Sequence, residues 1–142
     1  MNRVRLCCLL TSLAFLAGCA PSLYHPERAT RAYPMDLHRP QSVDVQVFRD
    51  DTSITLVNAT PNTYEEVDLW INQRFVHSIG TLAAGETRTI SLWDFYDGRG
   101  DQFNAGGLFR TREPTPVRLV EIQTGADQPL IGLIAIPGEP LE

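Results

Sequence analysis

From Val43 onward, apolar and polar residues alternate with a period of two, the pattern of strands that bury one face. Val43-Asp44-Val45-Gln46-Val47-Phe48 is the first such run and Ser53-Ile54-Thr55-Leu56-Val57-Asn58 the second, with Asp50-Asp51 as the turn between them. Pro61-Asn62 breaks the second run. Glu65 to Ile71 sets Val67, Leu69 and Ile71 on one face and Glu66, Asp68 and Trp70 on the other. Asn72-Gln73 predicts a tight turn into a strand over Arg74 to Ile79, hence a hairpin. Ala84-Gly85 turns the chain again into Glu86 to Phe95. Val117 to Gln123 reads as a strand, Gly125-Ala126-Asp127 as a turn, and the almost unbroken apolar run Leu130 to Ile136 as a central strand. No segment carries a helical stripe. About seven short strands at this spacing predict an all-β fold, an antiparallel sandwich over residues 43–142.

One stretch breaks the pattern. Asp94 to Pro116 spans about 23 residues between two strands, longer than the ~12–15 residues usual for a structureless loop. Its glycines and acids alternate with Phe95, Tyr96, Phe103, Leu108 and Phe109, which predicts a loop folded onto the domain. If Ile90 and Leu92 define the inner face of the preceding strand, Trp93 and Phe95 point to the other. Trp70, Trp93, Phe95 and Tyr96 are therefore candidates for a partner surface near this loop, for protein or glycan. The competing expectation is a second small core capped by the loop, or a Trp70 that is itself central to the core.

The first 18 residues follow a different rule. Arg3 and Arg5 precede an uncharged run of about 13 residues, Leu6 to Gly18, too short to span a bilayer and of the right length for an export signal helix. Leu16-Ala17-Gly18-Cys19 resembles the lipobox of bacterial lipoproteins. The resemblance implies cleavage between Gly18 and Cys19 and a covalent lipid on Cys19, with no other cofactor. Ala20 stands where an Asp often favours the inner membrane, so the resemblance implies the outer membrane as the more fitting home. Ala20 to Ser42, with Pro21, Pro26, Pro34 and Pro40, reads as an extended tether able to reach up to ~70 Å. Leu23, Tyr24, Tyr33, Met35 and Leu37 are apolar enough for some of them to dock on the domain.

A second resemblance bears on fold. Ile79-Gly80-Thr81-Leu82-Ala83-Ala84-Gly85-Glu86-Thr87-Arg88-Thr89-Ile90-Ser91-Leu92 resembles a stretch common in bacterial immunoglobulin-like and fibronectin-like domains. It implies an immunoglobulin-like β-sandwich and, since that fold hosts many functions, no functional residues.

Charge and cysteine usage narrow the chemistry. The chain has 12 basic residues, all arginine, against 17 acidic ones, a net charge of −5. Loss of Arg3 and Arg5 with the signal brings this to about −7, which argues against nucleic acid or anionic lipid as a partner. Cys7 and Cys8 leave with the signal, so a lipidated Cys19 excludes thiol catalysis, cysteine metal sites and disulfides in the mature chain.

Other candidate groups are weaker. Asp94, Asp97 and Asp101, with Asn104, could offer oxygens to calcium, but their spacing departs from the calcium-loop pattern. Arg99-Gly100-Asp101 and Asn58-Ala59-Thr60 match an integrin tripeptide and a glycosylation acceptor, matches this short being expected by chance. His25, His38 and His77 are too dispersed for a zinc pair, and Glu65 and Glu66 point to opposite faces of a strand. No catalytic constellation emerges. The expectation is a non-enzymatic, lipid-anchored envelope lipoprotein that serves as an interaction or scaffold module, its partners the membrane and an envelope protein. The alternative is a calcium-dependent glycan-binding domain or small enzyme that uses the 94–110 loop.

Overall fold

The computed structural model describes residues 22–108 and 112–136, so the signal segment, Gly18 and Cys19 lie outside the described residues. Seven strands form: β1 (His38–Asp50), β2 (Ser53–Asn58), β3 (Tyr64–Ile71), β4 (Phe75–Leu82), β5 (Thr87–Ser91), β6 (Val120–Thr124) and β7 (Leu130–Ile136). They make one mixed sheet in the order β4-β3-β6-β7-β1-β2-β5. The all-β expectation holds; the wholly antiparallel one does not. β1 runs parallel to β7 and antiparallel to β2, with Gln46, Val47 and Phe48 paired on both sides. Parallel neighbours need a long connection, and here the whole chain between β1 and β7 supplies it.

The sheet curls until its two edge strands meet. Arg88 on β5 donates from Nη1 to the Ile79 carbonyl and from Nη2 to that of Thr81, both on β4. Inside the curl, alternation does what the sequence predicts. Val45, Val47, Ile54, Leu56, Val67, Leu69, Ile71 and Ile122 are all buried in one cluster, each burial favouring the fold by about 1.5–3 kcal/mol. β7 is central in strand order, yet Ile134 and Ile136 stay partly exposed.

Local chemistry sets the turns. Asn72 and Gln73 both take positive φ (53° and 57°), the type I′ geometry whose twist matches a hairpin. Gly85 has φ 72°, and beside it the Glu86 carboxylate accepts from the Ala83 N–H at 2.7 Å, which explains the Gly-Glu pair of that stretch.

The expected strand from Glu86 to Phe95 stops at Ser91. Residues Leu92–Asp94 form a 3-10 turn whose first N–H groups are capped by Ser91 Oγ, which accepts from the Trp93 N–H. Three residues per turn put Leu92 and Phe95 on the same side, so Phe95 enters the main core with Ile90 rather than the opposite face.

Residues 22–37 lie along the sheet and the long loop as a strap. Backbone bonds join His25 N–H to the Gly100 carbonyl, Thr30 N–H to that of Asp97, and Gln102 N–H to that of Leu23. Tyr33 and Leu37 pack on the outer face of the sheet, whereas Tyr24 and Met35 are exposed.

Candidate functional site

The outer face of β3, β6 and β7, under the strap, holds the densest polar chemistry of the described residues. Period two places Trp70 on the face opposite Val67, Leu69 and Ile71, where it forms a second cluster with Val76, Leu130, Tyr33 and Leu37. The Tyr33 ring meets Trp70 edge-on at 5.4 Å, and the Arg31 guanidinium lies 4.8 Å above the same ring. Arg31 also donates to Asp68 at 2.6 Å and to Gln123 at 2.8 Å, while Trp70 Nε1–H donates to Gln123 at 3.3 Å.

Glu121 is the wholly buried acid of this layer. Tyr33 O–H donates to its Oε2 at 2.7 Å, and His38 Nδ1 lies 2.7 Å from its Oε1. Burial, and then the bond to Glu121, raise the Tyr33 hydroxyl far above its ordinary pKa. No buried side-chain polar atom among the described residues lacks a partner. The arrangement binds the strap, and its groups are occupied in doing so.

The long loop shows the same economy. Asp97 Oδ1 accepts from the N–H groups of Arg99 and Asp101 at 2.8 and 2.9 Å, and its Oδ2 accepts from Arg74 Nε at 2.8 Å. Burial opposes its ionisation, but the bonds from Arg99, Arg74 and Asp101 together hold it below the usual carboxylate range. Arg74 also donates to Asp101 at 2.8 Å. Asp97 and Asp101 therefore converge on a guanidinium, and Asp94 shares none of these partners. Asn104 ties the loop to itself, its Nδ2 donating to the Glu113 carbonyl and its backbone carbonyl accepting from the Thr115 N–H. Among the described residues, no three His, Cys, Asp or Glu groups are placed to hold a metal.

The Arg99-Gly100-Asp101 tripeptide folds inward. Gly100 has φ 89°, and a Cβ there would lie 2.2 Å from the His25 carbonyl oxygen, so only glycine lets the strap approach. Asn58 is also buried, donating to the carbonyls of Asn62 and Ala83 while Thr60 bonds its Oδ1, which leaves no free amide for a glycan.

The four candidate aromatics occupy different places. Trp70 is sealed beneath the strap, and Phe95 is in the main core. Tyr96 is buried and pairs its backbone with Val76 at the edge of β4, with Arg28 over its ring at 5.3 Å. Trp93 is half-buried against the main core. They do not share one exposed surface. Between strap and β4 runs an open groove of about 510 Å³, lined by Arg28, Arg31, Asp68, His77 and Asp94.

Glu121 and Gln123 escape the sequence reading because alternation assigns a polar strand residue to solvent, Arg31 because it lies in the proline-rich stretch that reads as a tether, and Arg74 because its partners Asp97 and Asp101 lie in the distant loop. Nothing local to Glu121 or Gln123 announces the strap residues Arg31 and Tyr33 that bond them. Comparison with protein-family models, with curated proteins and with solved structures finds no match.

Proposed function

We propose that this chain is a lipid-anchored bacterial envelope lipoprotein whose globular part is a non-enzymatic interaction or scaffold module of immunoglobulin-like β-sandwich type. The observation that carries it is Leu16-Ala17-Gly18-Cys19 at the end of an uncharged run behind Arg3 and Arg5. Ala20, in place of Asp, favours the outer membrane. The sandwich reading draws support from the single core cluster in which Val45, Val47, Ile54 and Leu56 of β1 and β2 are buried together with Val67, Leu69, Ile71 and Ile122 of β3 and β6. The scaffold reading draws support from Glu121, Gln123, Asp97 and Asn58, buried polar groups each engaged in holding the fold.

Intact protein, extracted from bacterial membranes and analysed by mass spectrometry, tests the anchor: a mature chain starting at lipid-modified Cys19 supports it, and an unmodified or uncleaved chain overturns it. In-cell crosslinking with wild type and Cys19→Ala then tests the module. An envelope protein captured only by the anchored form supports a scaffold role, and capture of none overturns it.

A further inference from the structure

The geometry points to a lipid-facing end of this domain, the end that carries the Asp50-Asp51 and Asn72-Gln73 turns. This inference rests on the lipid anchor proposed above. The register defines the end: Ile71 stands opposite Val120, Asp50 opposite Ser53, and Phe48 opposite Ile136. The strap begins at the same end, because the Leu23 carbonyl accepts from Gln102 N–H and Tyr24 bridges to Asp101, whose carboxylate is bonded by Arg74 beside the Asn72-Gln73 turn.

Two independent observations then meet. First, Cys19 precedes Ser22 by three residues, a reach of at most ~11 Å. The headgroup layer on each side of a bilayer is itself about 5–8 Å thick. A domain strapped from Leu23 onward cannot stand off by the ~70 Å of a free tether; it rests on the surface. Second, the exposed large apolar side chains gather at this end. Among the described residues they are Tyr24, Met35, Phe48, Leu108, Ile134 and Ile136, and all but Met35 and Ile134 lie toward it. Ile136 extends past the β6 start at Val120 and pairs with Phe48, and Gly107, beside Leu108, lies against the Thr52 methyl. Leu108 is 91% exposed. Apolar tips that would cost free energy in water gain by entering the headgroup–acyl boundary, and a tyrosine suits that depth.

The test uses the full chain, processed and lipidated in a bacterial host. With Cys19 capped, a cysteine introduced at Leu108, Phe48 or Ala126 is the free thiol for a bimane label. Ala126 is exposed on the turn at the opposite end. Labelled proteins are reconstituted into zwitterionic phosphatidylethanolamine–phosphatidylcholine vesicles containing brominated acyl chains. Quenching at Leu108→Cys and Phe48→Cys at least twofold stronger than at Ala126→Cys is the expected result. Equal or stronger quenching at Ala126→Cys, with the lipid on Cys19 verified by mass, overturns the inference and leaves the anchor standing. A mass without lipid overturns both.

Discussion

Arg31 lies 4.8 Å above the Trp70 ring and bonds Asp68 and Gln123 from the same Nη2, so one side chain of the strap covers an aromatic group and ties two strands at once. A guanidinium can lay its plane on the ring while donating from its edge, a geometry that an ammonium has no plane to reproduce. Arg31→Ala should lower stability by about 1–3 kcal/mol. Arg31→Lys should recover little of it. Urea denaturation of the three proteins, followed by tryptophan fluorescence, measures this, and a fully restored midpoint in Arg31→Lys would show that charge alone matters.

Trp70 itself is wholly buried and carries the second cluster. Trp70→Ala should cost about 3–5 kcal/mol. Proteolysis at the strap should rise in parallel, since Tyr33 and Leu37 lose the surface they cover. Resistance equal to that of wild type would mean the strap is held by its backbone bonds alone.

The pH limbs of stability follow from two groups. Asp97 has a folded pKa below its ordinary value of 3.8, so its contribution is complete above the unfolded pKa and declines as pH falls through the folded one. Asp97→Asn should therefore narrow the gap between neutral and acid stability. Tyr33 is shifted upward from 10.0, so its contribution is complete below that value and is lost as pH rises beyond it. Tyr33→Phe should flatten the alkaline limb and leave the acid one unchanged. Unfolding midpoints from pH 2 to pH 11 are the measurement; wild-type slopes in either variant would remove that group from the account.

Gly100 faces the His25 backbone too closely for any side chain. Gly100→Ala should force the strap and the 97–101 turn apart, with increased exchange at His25 and Gln102 and little change at Leu69 or Ile122 in the sheet. Uniform destabilisation would indicate that the strap and the sheet open as one unit.

Much of this fold is legible in the sequence, and the exceptions have physical causes. Alternation marks the strands through Val67, Leu69 and Ile71, and Asn72-Gln73 marks its hairpin, because both depend on neighbours in the chain. The parallel pairing of β1 with β7 does not, since nothing local to Gln46 or Ile134 announces a partner so distant in sequence. The 3-10 turn at Leu92 resets the parity on which the placement of Phe95 depended. The strap resembles a tether because prolines prevent regular structure within it, while the groups that hold it (Gln123, Glu121, Asp97) lie far along the chain. Of the candidate site residues, Trp70 is legible as an oddity of its strand, but its covering by Arg31 and Tyr33 is a tertiary fact.

The central claim is that residues 22–37 are part of the folded domain rather than a spacer. Hydrogen exchange at the His25 and Thr30 amides, which bond the Gly100 and Asp97 carbonyls, tests it most directly. The account predicts protection approaching that of β3 and β6 amides. Exchange at the rate of an unstructured peptide would contradict it.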